Sequence, residues 1–295
     1  MRGLPLLSLL IFVPWLGAVL LVLLRRRISL SAARGLAVLF SLSSLLLSLP
    51  LLAHFDPATT APQLVEHRAW IASLSVYYHL GLDGLSLVLV LLTGLIAPVA
   101  ILASPLSPAH AATLPRLHAA LLLLLQGSAL GVFLALDFFH WFLFWELSLV
   151  PAFFLIKLWD GPGATRAAYQ FFVYTIGGSA FLLLGFAALY AYTGTLDFAT
   201  LARLAADGAR WPAPIFFGIL LGLAVKAPLW PFHTWQAPTY AAAPTGATMF
   251  LTAIMSKMGV YGFLRILWPI FPADLHAASG VLLWLKAGKT SNNHP

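Results

Sequence analysis

The sequence predicts an all-α protein whose helices cross a membrane several times. Hydrophobic residues make up 61% of the 295 residues and charged residues only 8%, whereas about a quarter of the residues in a soluble domain are charged. A helix needs about 20 mostly apolar residues to span a bilayer, and runs of that kind recur along the whole chain. The predicted fold is therefore a polytopic transmembrane helix bundle.

Eight apolar runs are candidates for spanning helices, and a ninth begins near Ala277. Polar intervals between the runs predict loops at 57–68, 104–115 and 160–166, and residues 197–206 predict a short amphipathic helix at the membrane interface. The eight runs are 4–24, 32–53, 82–103, 117–136, 138–158, 169–192, 215–227 and 247–268.

Basic residues between the runs predict the orientation of the chain. Loops on the side that is richer in Lys and Arg usually face the cytoplasm, which places the N-terminus outside. The richer set of loops holds Arg25, Arg26, Arg27, Arg34, Arg116, Lys157 and Arg166, and the opposite set holds Arg68, Arg203 and Arg210.

Composition excludes several classes of function. The chain has no cysteine, so it offers no thiolate ligands for an iron–sulfur cluster and no cysteine nucleophile. It contains no Walker-type phosphate loop and no G-x-G-x-x-G motif after a strand. The net charge of +7 does not indicate nucleic-acid binding, because the basic residues lie in short tracts between apolar runs.

Among the ionisable residues within the apolar runs, Glu146, Lys226 and Lys257 are the candidates for a functional site. A charge at mid-bilayer costs at least about 2.5 kcal/mol, so each should face protein or water, and an intramembrane acid indicates a functional site. Glu146 lies near the middle of its run and is predicted to take and release protons. The alternative is a structural ion pair between helices.

The two lysines have different surroundings in the sequence. Lys226 is followed by Pro228 and Pro231, which should break the helix and free backbone groups to line a cavity. The alternative for Lys226 is a side chain that extends to the interface. Lys257 lies well inside its run and is predicted to be a buried relay.

Three further polar residues are assigned roles from their positions in the sequence. His233 is a further candidate relay, although a lone histidine is more often an ordinary hydrogen-bonded group. Arg265 is predicted to be an interface anchor, and Asp83 an N-cap.

The motifs around these residues resemble those of the antiporter-like membrane subunits of respiratory complex I, the proton-pumping NADH:quinone oxidoreductase, in particular those of the chain M type. Together the motifs are specific, and the similarity extends to about Pro272. They are GLDGLS at 81–86, FWELSLVP at 144–151, AVKAPLWPFHTW at 224–235, APT at 243–245 and KMGVYG at 257–262.

This resemblance implies the first half of an antiporter-like inverted-repeat fold with a broken seventh helix. Residues 1–115 would form helices 1–3 and their loops, residues 116–272 a five-helix repeat (helices 4–8), and residues 273–295 an incomplete ninth helix with a polar tail. Glu146 would lie at the border with a neighbouring subunit, Lys226 would pair with a glutamate, and Lys257 would be the central relay.

The resemblance also implies the function. The chain would be a proton-translocating subunit of the oxidoreductase, an enzyme component with no redox centre, cofactor or metal of its own. NADH, FMN, iron–sulfur clusters and quinone would belong to partner subunits. Its partners would be other membrane subunits, protons, internal water and lipid, but not nucleic acid, in a bacterial inner membrane. The alternatives are a subunit of a multisubunit cation/proton antiporter or membrane-bound hydrogenase, or a truncated, non-conducting scaffold.

Two departures from the family pattern are visible. The family usually continues with Leu-Pro-Asp-Ala-His after His233-Thr234-Trp235, whereas Pro238 and Tyr240 stand at the acidic and histidine positions here. The chain is also shorter than family members and is expected to be C-terminally truncated, either as a fragment or as a shortened relative. A frameshift near Leu285 would explain its polar tail, and sequencing an independent clone tests that hypothesis.

Overall fold

The computed structural model describes residues 5–71, 76–104, 114–159 and 163–280. Within these ranges, seven helices are long and apolar enough to cross a membrane, and an eighth, shorter apolar helix spans Ala213–Lys226. The polytopic bundle predicted from the sequence is confirmed. The polar tail, most of the loop at 104–115 and residues 160–162 lie outside the described ranges, and the division at 115/116 and 272/273 stays a prediction.

The described elements follow the predicted spans closely, with one hairpin that the sequence did not predict. In chain order they are α1 (Leu6–Leu24), α2 (Leu30–His54), β1 (Gln63–Ile71), β2 (Val76–Leu82), α3 (Gly84–Ala103), α4 (Leu114–Leu134), α5 (Phe138–Lys157), α6 (Ala164–Thr193), α7 (Phe198–Ala206), α8 (Ala213–Lys226), α9 (Gln236–Ala242), α10 (Thr245–Phe250), a first π-helical segment (Leu251–Met255), α11 (Ser256–Gly262), a second π-helical segment (Phe263–Leu267) and α12 (Trp268–Ile270). Residues 272–280 are also helical.

Helix α4 is the centre of the first half of the bundle. Of its most apolar stretch, 89% is buried, more than for any other described span, and α1, α3 and α5 pack around it. A polar side chain inside a bilayer needs a partner on a neighbouring helix, and α4 meets that need at Gln126. Its amide accepts a hydrogen bond from Ser41 Oγ (2.8 Å) and donates one to Ser41 O (3.1 Å).

One end of the bundle is closed by the antiparallel hairpin of β1 and β2, and we call it the hairpin end. The prediction of a loop at 57–68 was wrong in its second half, where β1 begins. The Leu136 amide donates to His79 O and the Phe198 amide to Leu136 O, each at 3.0 Å. These bonds join the hairpin, the α4–α5 turn and the start of α7.

The predicted amphipathic helix is confirmed as α7, at the hairpin end. Asp197 caps it by accepting the Thr200 amide proton at 2.7 Å, and His79 Nδ1 lies 3.1 Å from the other carboxylate oxygen. Burial alone would raise the pKa of Asp197, but the hydrogen bonds from His79 and Thr200 outweigh burial and hold it below its usual value.

Most of the basic loops predicted to face the cytoplasm lie at the opposite end. Arg116, at the start of α4, donates through Nη2 to Ile28 O in the α1–α2 turn (2.9 Å). Lys157, at the end of α5, donates to the Tyr169 hydroxyl near the start of α6 (3.1 Å). The helix directions thus place these basic residues at one end and the hairpin at the other, in agreement with the predicted topology.

Helix α8 stops at Lys226, and regular helix resumes at Gln236, so the predicted break is confirmed. Two carbonyl groups freed at the break receive new donors. Val225 O accepts from Trp235 Nε1 (3.0 Å), and Ala224 O accepts from the Leu229 amide (2.9 Å). An unsatisfied carbonyl inside a membrane costs several kcal/mol, so these bonds allow the chain to leave helical geometry at membrane depth.

Arg265 is not the interface anchor that the sequence predicted. Its Nη2 lies 2.6 Å from Asp83 Oδ2 and donates to Ser86 Oγ (3.0 Å), and its Nε donates to the Tyr261 hydroxyl (2.9 Å). Asp83 also caps α3, as predicted, by accepting from the Ser86 amide (2.9 Å). Burial alone would raise the pKa of Asp83, but the Arg265 guanidinium and the Ser86 amide outweigh it, so this pKa lies below the ordinary 3.8.

We expect Asp83→Asn to lower the free energy of unfolding by about 2–3 kcal/mol at pH 7, because it leaves the mostly buried Arg265 charge unpaired. Because the folded-state pKa is depressed, the pair stabilises fully above the unfolded pKa of about 4 and loses its contribution as pH falls through the lower folded value. Denaturation in mixed detergent micelles at several pH values measures both effects. The exposed carboxylate of Asp207 provides the control, Asp207→Asn; equal stability of the two variants at pH 7 would contradict the prediction.

Candidate functional site

Glu146 lies in α5, eight residues from the helix start and therefore about 12 Å along its axis. The side chain is half-buried. Its Oε1 is shielded from solvent and has no hydrogen-bond partner among the described residues. Buried carboxylate oxygens are nearly always hydrogen-bonded, so an unmet oxygen marks a place where a proton or a water molecule completes the structure.

Lys226, the last residue of α8, is only 3% exposed. Its Nζ lies 4.9 Å from the centroid of the Trp145 ring, within the range of a cation–π contact. The indole of Trp145 is itself held by a hydrogen bond from Nε1 to Ser179 Oγ (3.2 Å). Trp145, the residue before Glu146, thus packs against the Lys226 ammonium group.

Among the described residues, the carboxylate of Glu146 attracts the Lys226 ammonium group electrostatically. The two side chains nevertheless form no direct ion pair in the part of the chain that the structure describes. The lysine charge is therefore stabilised by an aromatic ring and by a carboxylate beyond ion-pair distance. A proton that passes between the two groups needs an intervening carrier, for which internal water is suitable.

Small residues allow α6 and α8 to pack closely around Lys226. A Cβ added at Gly222 would lie 2.6 Å from Gly178 O, and one added at Gly178 would lie 2.8 Å from Val225 Cβ. Close approach through glycines is a common way for membrane helices to associate. The contact buries the end of α8, and with it Lys226, inside the bundle.

Lys257 lies in α11, directly after the first π-helical segment. Its Nζ donates to Thr252 O (2.9 Å) and to Ser256 Oγ (3.3 Å). The sequence predicted a buried lysine, but the side chain is exposed on this chain. The prediction failed because hydropathy places a residue at a depth in the membrane without indicating which helix face it occupies.

The exposed face around Lys257 continues along the last span as a stripe at helical spacing. Val260 is 51% exposed, Leu264 50% and Trp268 67%. An uncovered ammonium group at one end of an otherwise apolar stripe is costly next to lipid. We call Lys257 and these three residues the lysine stripe.

The lysine-bearing segments touch each other at Gly259. A Cβ added at Gly259 would lie 2.6 Å from the amide nitrogen of Ala227 and 2.9 Å from its Cα. The backbone immediately after Lys226 therefore contacts α11 two residues beyond Lys257. The structure thus groups Glu146 with Lys226 through Trp145, and joins Lys226 to the Lys257 helix through Gly259.

His233 lies in the break between α8 and α9 and is half-buried. Its Nδ1 is shielded from solvent and has no hydrogen-bond partner among the described residues, while its carbonyl accepts the Gln236 amide (3.0 Å). No described contact joins His233 to Glu146, Lys226 or Lys257, so its role as a relay stays a prediction.

Tyr240, which stands at the family's histidine position, is a residue that the sequence analysis did not assign to the site. Its hydroxyl accepts from Gln236 Nε2 (3.3 Å) and interacts electrostatically with the Ser256 side chain. Ser256 Oγ in turn accepts from Lys257 Nζ. Side-chain hydroxyl groups therefore lead from Lys257 towards the helix break. In the sequence, the tyrosine at the family's histidine position was the signal that could have identified Tyr240.

Comparison with known proteins identifies the family of this arrangement. Residues 135–287, about half of the chain, match the family described as NADH:quinone oxidoreductase/Mrp antiporter, TM. The chain belongs to this family. It is a multi-pass membrane protein of the complex I antiporter-like type, and the matched region includes Glu146, Lys226 and Lys257.

Two curated relatives place the chain within this family. NADH-quinone oxidoreductase subunit M from Rhodobacter capsulatus is 36% identical over 96% of this chain and 57% of its own length. F(420)H(2) dehydrogenase subunit M from Methanosarcina mazei is 37% identical over 91% of this chain and 54% of its own length. The chain thus spans little more than half the length of these relatives.

A solved structure of the family shares the fold. Respiratory complex I from Thermus thermophilus with bound NADH contains a chain that superposes with a TM-score of 0.78 and 28% identity, over 95% of this chain and 56% of that one. The solved chain belongs to respiratory complex I, and the match shows that this chain shares its fold.

We expect Gly259→Ala to lower the free energy of unfolding by about 1–3 kcal/mol, because the new methyl group collides with backbone rather than with a side chain that can move. Gly177→Ala is the control, since a Cβ at that helical position meets nothing within 4 Å. Thermal unfolding in detergent measures both. Equal melting temperatures for the two variants would contradict the close contact between Ala227 and α11.

Proposed function

We propose that this chain is a proton-translocating membrane subunit of NADH:quinone oxidoreductase. The observation that carries the proposal is the position of Lys226, buried at a helix break, acted on by Glu146, and connected through backbone contact to the helix of Lys257. Family membership supports the same conclusion.

The charges suggest how the residues act together. A proton on Lys226 is favoured while Glu146 is ionised, because opposite charges a few ångströms apart attract by roughly 2–4 kcal/mol at an effective dielectric near 20. Protonation of Glu146 removes that attraction, and the proton on Lys226 then moves more easily towards Lys257. Charge changes at one member of the series thereby drive proton release at the next.

The redox chemistry belongs to partner subunits in this proposal. NADH, FMN, iron–sulfur clusters and quinone would be bound there; for the clusters, the absence of cysteine from these 295 residues agrees, since thiolates are their usual ligands. Two relatives of similar sequence identity are named for different electron donors, NADH and F(420)H(2). Proton movement is therefore the task that such chains would share. The bacterial relative supports placement in a bacterial inner membrane.

We expect Lys226→Ala in the assembled complex to reduce the rate of coupled proton transfer at least tenfold. The substitution removes a proton carrier, and the aromatic ring and carboxylate cannot replace it. Glu146→Ala should act in the same direction, and the double variant should be no worse than the more damaging single variant, because the two residues work as a unit.

Proton uptake with simultaneous electron-transfer measurement in reconstituted vesicles tests this. Lys157→Ala at the basic helix end is the matched control and should pump normally. An unchanged proton-to-electron ratio and rate in both Lys226→Ala and Glu146→Ala would refute the assignment.

A second candidate is a subunit of a multisubunit cation/proton antiporter, which the family description itself includes; a membrane-bound hydrogenase subunit belongs to the same group. Co-purified proteins distinguish them, since flavin and iron–sulfur proteins that oxidise NADH would accompany only the leading candidate. A non-conducting scaffold predicts instead that Lys257→Met leaves proton transport unchanged, while loss of the chain disrupts assembly.

A further inference from the structure

A groove of about 570 Å³ opens between α1 and α5 near the hairpin end, and neither Glu146, Lys226 nor Lys257 lines it. Volumes of this size are typical of pockets that hold small organic ligands. Ser8, Phe12 and Trp15 line it from one face of α1. His140, Leu143 and Leu147 line it from one face of α5, and residues of β1 and β2 line the part at the hairpin end.

A buried polar side chain in this groove lacks a partner. His140 is 1% exposed, and neither ring nitrogen has a hydrogen-bond partner among the described residues. The nearest carboxylate oxygen, Asp137 Oδ1, lies 3.7 Å from Nδ1, which is too long for a hydrogen bond. Trp70 and Tyr78 pack on the imidazole, with ring centroids 4.8 and 5.3 Å away, so a further group in the groove is needed to satisfy it.

The charges at the mouth of the groove favour an anionic ligand. The Glu66 carboxylate accepts the backbone amides of Leu7 and Ser8 and the Ser8 hydroxyl, so the N-terminal end of α1 compensates its charge. Arg68, two residues on and also at the groove, is exposed and forms no ion pair among the described residues. The Glu66 carboxylate is therefore already hydrogen-bonded within the chain, and the Arg68 guanidinium is the charged group at the mouth that is left to bind a ligand.

We propose that this groove binds one anionic phospholipid of the membrane. The phosphate contacts Arg68, an ester carbonyl accepts a hydrogen bond from the His140 ring, and an acyl chain lies against Phe12, Trp15 and Leu143. The order of groups fits this ligand, since the polar residues lie at the end where α1 begins, at headgroup level, and the apolar ones lie deeper. The proposal concerns a surface outside the proton relay and does not depend on it.

Native mass spectrometry of the full chain tests the site, with dioleoyl phosphatidylglycerol and dioleoyl phosphatidylcholine added as probes. The wild-type chain should retain one phosphatidylglycerol. Arg68→Gln should weaken its retention about tenfold, as expected for loss of one charged hydrogen bond, with a smaller effect on phosphatidylcholine. His140→Phe should weaken both lipids, because both have ester carbonyls.

Two substitutions separate this site from general lipid adhesion. Leu143→Trp fills the groove from its exposed side and should abolish retention of either lipid; Leu147→Trp serves instead if the first variant does not fold, as judged by circular dichroism. Arg203→Gln removes an exposed charge on α7, at the same end of the bundle, and should change nothing.

The decisive contrary results are specific. Equal retention by wild type and the tryptophan variants would overturn the site, and equal retention by wild type and Arg68→Gln would overturn the anionic headgroup. A benzophenone crosslinker at Phe12 identifies the occupant directly in membranes. A crosslink to lipid supports the proposal, whereas a crosslink to another polypeptide overturns it and assigns the groove to a neighbouring subunit.

Discussion

The placement of one ammonium group in the membrane interior is the constraint on which the rest of this structure depends. Lys226 lies buried where α6 and α8 approach through glycines, with a tryptophan ring under the charge and the Glu146 carboxylate of α5 attracting it. The ring and the carboxylate reduce the cost of desolvating the charge, and neither forms a close ion pair with it. The lysine is thus held without being locked to a single partner.

Irregular backbone supplies the remaining polar groups of the site. The break after Lys226 and the π-helical segment before Lys257 both bring backbone carbonyl groups close to side-chain donors. Trp235 donates to Val225 O at the break, and Lys257 donates to Thr252 O at the π-helical segment. Such departures from α-helical geometry are frequent at functional sites; here one gives Lys257 a backbone acceptor, and the other lies directly after Lys226.

Much of this arrangement could be predicted from the sequence, because hydropathy and proline reveal depth and helix breaks. The spans, the break after Lys226 and the cap at Asp83 follow from such local rules. The hairpin, the Asp83–Arg265 pair and the exposure of Lys257 could not be predicted in this way. The ion pair depends on residues far apart in sequence, since 182 positions separate Asp83 from Arg265, and hydropathy does not specify the helix rotation that exposes Lys257. The hairpin is local in sequence, but hydropathy indicated only a polar interval there.

The lysine stripe has a consequence for what can lie against this face of the chain. Lys257 occupies a face on which Val260, Leu264 and Trp268 are also exposed. In lipid that face is unfavourable, and it becomes favourable only when protein or water covers it. The charge that is proposed to carry protons therefore also makes lipid a poor neighbour for this face and protein or water a good one.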